Sequence, residues 1–411
     1  MPFRALSVHP RFRLGAVVVL GFLALALAFS ARAALGLAMP VWERELGWSR
    51  GFVSGVAAVG LVVMACVAPW AGALVDRHGP RKVLVPGLAA VALGCVGVAG
   101  AERPWQFVLA YAGLASIGFG IVATHVVATA VARMTAGRRG LATGVATSGS
   151  TAGQFVLVPL IAALLAVASW RWGFLGIAMG AALLAMLALP ILAVPAVARQ
   201  GDRSRPPFAA ELRFLAAQPT FHLLFWSFLI CGFTSTGVIE THLLPYAALC
   251  GFAPMPGAVA YGVLSLVNML GMMGAGWLTD RMNRPLLLAV IYAGRAVTFL
   301  LLLHVGDSYP ALLLFAAAFG AVDYATVPVT ASLVASHLGL RVMGLAMGVI
   351  SAGHAAGGAA GALLGGWVFD HAAGYAWLWW GSLLAALVAA GLAAMIRMPA
   401  LRAGTDAVPV D

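Results

Sequence analysis

Charge is what this sequence has least of. Only 9% of its 411 residues are charged and 63% are hydrophobic, with a mean hydropathy of +1.00. A soluble domain carries about 25% charged residues. Disorder is excluded by the same figures, because a chain that stays unfolded needs low hydrophobicity and high charge. Lysine is nearly absent: Lys82 stands alone, after Arg81, so no Gly-x-x-x-x-Gly-Lys-Ser/Thr phosphate loop exists. ATP-driven transport would need a separate ATPase subunit, and none is implied. The four cysteines (Cys66, Cys95, Cys231, Cys250) fall in or beside apolar runs without paired metal-type spacing, and read as small buried hydrophobes. There is no His-Glu-x-x-His motif and no nucleophile beside a base, so neither an enzyme nor a metal or cofactor is expected.

What the chain does have is long apolar runs. A membrane-crossing helix takes roughly 20 apolar residues. Twelve spans can be laid out at approximately 14–40, 49–74, 83–101, 104–132, 141–167, 171–196, 221–249, 257–279, 285–304, 309–336, 341–369 and 374–396. This predicts an all-α polytopic membrane protein in contact with lipid. One side of that layout receives Arg4, Arg11 and Arg13; Arg77, Arg81 and Lys82; Arg133, Arg138 and Arg139; Arg199, Arg203, Arg205 and Arg213; Arg281 and Arg284; Arg341; Arg397 and Arg402. The other side receives only Arg44, Arg50, Arg103 and Arg171, with Arg32 and Arg295 left inside spans. The positive-inside rule puts the basic side and both termini in the cytoplasm, predicting a multi-pass protein of the cytoplasmic (inner) membrane. The net charge of +11 therefore reports topology and not nucleic acid. Residues 14–33 resemble a secretory signal ending at Ser30-Ala31-Arg32-Ala33, but the charge alternation holds only if they stay as span one.

One linker alone is long and polar. It divides an N-terminal six-span half (1–198) from a C-terminal six-span half (221–411), with the cytoplasmic linker at 199–220. A repeat supports the division. Residues 72–84 read GALVDRHGPRKVL and 276–288 read GWLTDRMNRPLLL, so Gly72, Leu74, Asp76 and Arg77 recur as Gly276, Leu278, Asp280 and Arg281 at an offset of 204. Repeated halves in a hydrophobic chain mark a secondary transporter, with its site near the midplane between them. The remaining loops are too short for a receptor module, which argues against a sensor.

GALVDRHGPRK resembles the loop 2–3 signature of the major facilitator superfamily, Gly-x-Leu-x-Asp-Arg-x-Gly-x-Arg-Lys, and GWLTDR is a weaker second copy. Within that superfamily, ARAALGLAMPVWERELGWSRG (31–51), RRGLATGVATSGSTAGQFVLVP (138–159) and CGFTSTGVIETHLLPYA (231–247) are similar to the bacterial branch related to monocarboxylate transporters. The resemblance implies the major facilitator fold: twelve transmembrane helices in two pseudo-symmetric halves, with spans one, four, seven and ten lining a central cavity. It also implies a latch on the cytoplasmic side in the outward-open state, built from Gly72, Asp76, Arg77, Gly79, Arg81, Asp280 and Arg281. A carboxylate there can accept from arginine and face the positive N-terminus of a neighbouring helix, while Gly79 allows a tight turn. One position departs from the family. Animal monocarboxylate transporters carry an Asp and an Arg four residues apart on span eight, where this sequence has Asn268 and Met272. That argues against a simple lactate or pyruvate carrier.

A charge at the bilayer centre costs about 2.5–3.5 kcal/mol, so each intramembrane ionisable group is a functional candidate. Span one carries Arg32, span four His125, span seven Glu240 and His242, and span ten Asp323 with Tyr324. Arg32 is the first candidate for substrate contact, since a guanidinium binds carboxylate bidentately; the competing reading pairs it with Glu240 or Asp323. His125, Gln154, Asn268, Tyr324 and His354 are further candidates for the cavity wall, with packing as the alternative for Tyr324 and both histidines. Glu240 and Asp323 are the candidate proton carriers. Arg295, on peripheral span nine, reads as a fixed ion pair, with Asp323 as one partner, or as a snorkelling side chain; pairing would weaken the carrier role of Asp323. Gly353, Gly357, Gly361 and Gly365 on span eleven suit close helix packing. The expected function is secondary active transport of a small organic, monocarboxylate-like anion with a proton, by a monomer. The alternative is proton-driven efflux of hydrophobic or drug-like compounds.

Overall fold

The computed structural model describes residues 10–134, 139–193, 206–372 and 374–397. Arg4, Arg138, Arg199, Arg203, Arg205 and Arg402 lie outside the described residues, as does the linker up to residue 205. Among the described residues twelve helices are long and apolar enough to cross a membrane: Leu14–Glu45, Gly51–His78, Arg81–Ala99, Pro104–Met134, Arg139–Ile161, Trp170–Ile191, Pro219–Leu249, Met255–Thr279, Arg284–Leu303, Tyr309–His337, Met343–Ala372 and Ala376–Ala394. They are numbered here as spans one to twelve. No strand occurs among the described residues. In lipid every backbone group must be satisfied within the chain, and helices achieve this locally. Span one runs on to Glu45 and span two to His78, past their apolar stretches, because helical hydrogen bonding does not stop where hydropathy does. A short helix, Phe208–Ala216, lies in the linker.

Large apolar side chains such as Leu109, Leu160, Met186, Leu363 and Leu384 remain exposed. So much exposed apolar surface suits a protein bathed in lipid. Inside, one hydrophobic core is built only from residues within 17–192 and another only from residues within 238–386. A third brings Ala73, Ala128 and Ala132 together with residues from 215 onward, so it joins the two halves.

Neighbouring spans alternate in direction. At one end the Trp170 indole donates to Glu45 Oε2 at 2.9 Å and Arg171 to the Ala99 carbonyl at 2.7 Å, tying spans one, three and six. At the opposite end, where the linker helix sits, the halves meet along spans two and eleven and along spans five and eight. Gly72 faces Gly344 and Gly140 faces Gly276 in these seams, and a Cβ on any of the four would strike the partner's backbone carbonyl. Spans one and seven share no comparable seam, so the molecule is closed at the linker end.

Three cavity-side spans are irregular. Span four has a π-helical stretch at Val108–Ala115 and breaks at Val122. Span seven has one at Phe233–Ile239, ending against Glu240. Span ten stops at Val322 and resumes at Thr326, with Asp323 in the gap. Irregular backbone at membrane depth survives only where protein or a wet cavity satisfies it. Hydropathy alone reads these segments as unbroken, because the few polar residues, such as Thr234, Ser235 and Asp323, are outweighed by the apolar residues around them.

Candidate functional site

The linker end is held by two carboxylates. Asp76, on span two, accepts the backbone N–H of Gly344 and Leu345 at 2.9 and 2.8 Å. Asp280, on span eight, accepts those of Gly140 and Leu141, both at 2.9 Å. These are orphan donors of the first turns of spans eleven and five, where the helix dipole is positive. The offset of 204 that relates Asp76 to Asp280 also relates Gly140 to Gly344 and Leu141 to Leu345. Gly79 takes φ +80 after span two and donates to the Val75 carbonyl at 2.9 Å, a turn that favours glycine.

The arginines of the repeat behave otherwise than the latch expectation. Arg77 turns to the linker, 3.3 Å from Glu211 and 3.5 Å from the Pro206 carbonyl. Arg81 is exposed, and Arg281 is exposed over its own Trp277 ring at 4.0 Å. None of the three has a hydrogen bond or ion pair to the opposite half among the described residues. The carboxylates are already engaged by helix N-termini, which leaves these guanidinia free to face water or the linker. Arg133 does what they were expected to do. It lies 3.0 Å from Asp76 Oδ1 and donates to the carbonyls of Val75 at 2.9 Å and Leu340 at 2.9 Å, bridging the halves. Its signal in the sequence was a basic residue in the last turn of span four, counted only towards topology. At the 204 offset stands His337, which bonds the Leu333 and Arg397 carbonyls instead.

Within the membrane the N-terminal half holds a pocket of about 260 Å³. Arg32, Phe29, Met64, Tyr111, Ser116 and Gln154 are among its lining residues. The Arg32 guanidinium sits 5.0 Å from the Phe29 ring centroid, and no carboxylate lies within ion-pair reach of it among the described residues. The competing pairing of Arg32 with Glu240 or Asp323 is therefore not formed. On span five, Gln154 lines the pocket. Thr143, Thr147 and Thr151 are buried, and the Thr147 and Thr151 hydroxyls donate to carbonyls of their own helix. His125 is buried and does not line the pocket; its Nε2 has no hydrogen-bond partner.

The C-terminal half holds a polar network across spans seven, eight, nine and ten. Arg295 is completely buried, with Asp323 Oδ1 3.8 Å from Nη2. Its Nη1 donates to Thr234 Oγ1 at 3.0 Å and Cys231 Sγ at 3.1 Å, and its Nη2 to the carbonyls of Val322 at 3.0 Å and Asp323. These carbonyls are left open by the break in span ten, so the guanidinium satisfies backbone and carboxylate together. Asn268 closes the other side: Nδ2 donates to Asp323 Oδ2 at 3.2 Å and Oδ1 accepts from the Tyr324 N–H at 3.1 Å. The Tyr324 hydroxyl then donates to Glu240 Oε1 at 2.8 Å. His354 stands beside Tyr324, ring centroids 6.2 Å apart, with Nε2 unpartnered. The sequence-expected residues thus separate into Arg32 with Gln154 on one half, and Glu240, Asn268, Asp323, Tyr324 and His354 on the other. His125 joins neither group.

Curated relatives and solved structures agree with this architecture. The chain is 25% identical over 366 residues to bovine monocarboxylate transporter 13, covering 87% of this chain and 83% of that one. It is 24% identical over 361 residues to an MFS-type transporter of Bacillus subtilis, covering 85% and 86%. The crystal structure of the E. coli fucose:proton symporter superposes with a TM-score of 0.76 at 17% identity, over 93% of this chain and 98% of the symporter. That of the human organic anion transporter MFSD10 gives 0.66 at 20% identity, over 94% and 98%. The family model described as Major Facilitator Superfamily matches residues 21–345. With that match over most of its length, this multi-pass membrane protein belongs to the major facilitator superfamily of transporters.

Proposed function

We propose that the protein is a secondary active transporter that moves a small organic anion across the cytoplasmic membrane by alternating access, with a proton as co-substrate. Arg32 carries this reading. A guanidinium inside a membrane-spanning helix, lining a pocket and lacking a carboxylate partner, has an unmet need for an anion. Its planar fork suits a carboxylate, and Gln154 in the same pocket adds a neutral hydrogen-bonding group. A single cation favours a monoanion over a dianion. The relatives named as monocarboxylate transporters support the same class. Asn268 and Met272 stand where the resemblance to animal monocarboxylate transporters implies a charged pair, so in this reading the anion is anchored from span one instead of span eight.

In this reading the halves 1–198 and 221–411 rock about the midplane within one monomer. The linker end, with both termini, faces the cytoplasm, and the arrangement closed at that end is the outward-open state. Asp76 and Asp280 are its latches, joined by Arg133. The proton is carried in the carboxylate cluster of the C-terminal half.

Uptake of labelled lactate, pyruvate and branched 2-oxo acids into proteoliposomes, beside a cationic dye, tests the proposal. Saturable carboxylate uptake driven by an inward proton gradient and lost in Arg32→Ala is expected. Dye transport without carboxylate uptake, indifferent to Arg32→Ala, would replace it with drug efflux.

A further inference from the structure

Two carboxylates of the candidate site, Glu240 on span seven and Asp323 on span ten, have different surroundings. Asp323 is the only carboxylate within ion-pair reach of the buried Arg295 among the described residues. Neutralising it would strand a guanidinium in a dry site, which buried charges do not tolerate. The break in span ten depends on the same pair, because Arg295 holds the Val322 and Asp323 carbonyls while Asn268 spans Asp323 Oδ2 and the Tyr324 N–H. Glu240 is placed differently. It lies just past the π-helical stretch of span seven, is partly exposed, and has no basic side chain within ion-pair reach among the described residues. Its hydrogen-bond partner is the Tyr324 hydroxyl, which Thr236 also approaches at 3.4 Å.

Resting on the proton-coupled reading above, we propose that Glu240 alone carries the coupling proton, that Asp323 stays ionised as the fixed counter-ion of Arg295, and that Tyr324 is a positioning residue. Tyr324 relays the state of Glu240 to the break in span ten. Loading moves one proton from cavity hydronium to a Glu240 carboxylate oxygen and leaves water. A phenol donating to a carboxylate makes a charge-assisted bond, about twice as strong as one to a neutral acid. Loading therefore weakens the strut between spans seven and ten, and unloading restores it. Tyr324 is fixed for this task at its backbone, since Asn268 Oδ1 holds its N–H. The groups that face Glu240 are Tyr324 and, at longer range, Asp323 from span ten and Tyr261 from span eight. His242, two residues along span seven, turns to the Ala362 carbonyl of span eleven.

The test is infrared difference spectroscopy of the full-length reconstituted protein between acid and neutral pH, with no substrate added. A carbonyl-stretch band of a protonated carboxyl is expected in the wild type. It should vanish in Glu240→Gln and persist in the paired variant Asp323→Asn with Arg295→Gln. In Tyr324→Phe it should persist at a shifted frequency, which a merely structural tyrosine would not cause. A band that survives Glu240→Gln and disappears in the paired variant makes Asp323 the carrier and overturns the proposal. Absence of any such band in the wild type overturns it as well. Proton-driven uptake is scored separately, so failure of every labelled carboxylate would refute the anion reading while leaving the spectral result standing.

Discussion

Asp76 and Asp280 each reach across to the other half and bind the first turn of a helix there, at almost the same distances: 2.9 and 2.8 Å for Asp76, 2.9 and 2.9 Å for Asp280. The pairing is reciprocal, span two to span eleven and span eight to span five. Each carboxylate gains from the helix dipole and from two charge-assisted hydrogen bonds. In the proposed cycle these two contacts are the ones that must break for the linker end to open.

Asp76→Asn should favour opening at the linker end. The amide retains one acceptor, but its NH2 then faces a backbone donor and Arg133 loses its counter-charge. The loss is about 1–3 kcal/mol of closure, equivalent to a shift of roughly fivefold to a hundredfold in the open-to-closed ratio. A thiol introduced at Thr279, buried on span eight against Gly140 of span five, should react faster with an impermeant reagent from the linker side. Transport should fall while membrane abundance holds. Wild-type labelling and uptake would remove the latch role.

Gly344→Val should act more strongly than Asp76→Asn. A Cβ at Gly344 meets the Gly72 carbonyl, a backbone atom that cannot move aside without parting the helices. Gly262→Ala, on span eight with open space around its Cβ position, is the matched control and should leave labelling unchanged. Equal behaviour of the two variants would mean that the seam tolerates separation.

Much of this was legible beforehand. Twelve spans, their alternation and the 204-residue repeat follow from hydropathy and basic residues, because lipid imposes both. Asp76 and Asp280 were legible through the repeat, and Arg295 with Asp323 through the cost of intramembrane charge. Arg133 was not, because which arginine reaches a carboxylate is decided by how helices pack, and Arg77 stands next to Asp76 in sequence yet turns to Glu211. The breaks at Val122 and Asp323 were hidden too. Their cause is tertiary: at Asp323 it is Arg295 and Asn268, on two other helices, that make the interruption affordable.

Arg32→Lys should keep transport but raise KM about tenfold or more, because an ammonium cannot reproduce the bidentate fork. The stacking against Phe29 would be lost with it. Concentration dependence of uptake in proteoliposomes checks this, and an unchanged KM would move the anion site away from span one.

Glu211→Gln should change little. The Arg77 side chain is 32% exposed while Glu211 is buried, so solvent screens the pair from one side, and a glutamine keeps an acceptor for the guanidinium. Arg133→Gln should be far more damaging in the same labelling assay, since Arg133 bridges Asp76 and the Leu340 carbonyl from a less exposed position. If Glu211→Gln opened the linker end as readily as Arg133→Gln, the linker contact would rank with the latch.

Arg295→Ala should be the most destabilising of these substitutions. It strands Asp323 and leaves the Val322 and Asp323 carbonyls open at a break in the membrane interior. Breaking one side of a buried ion pair costs about 3–5 kcal/mol, enough to lower both yield and thermal midpoint in detergent. Replacing both partners, Arg295→Gln with Asp323→Asn, should recover much of that loss, because no uncompensated charge remains and an amide can still donate to one carbonyl. Recovery should stay incomplete, since a glutamine side chain supplies fewer donors than the guanidinium it replaces. Thermal unfolding of the single and double variants separates the two contributions: the gap between them measures the stranded charge, and the residue below wild type measures the unsatisfied backbone. Equal stability of Arg295→Ala and wild type would mean that the break in span ten holds itself.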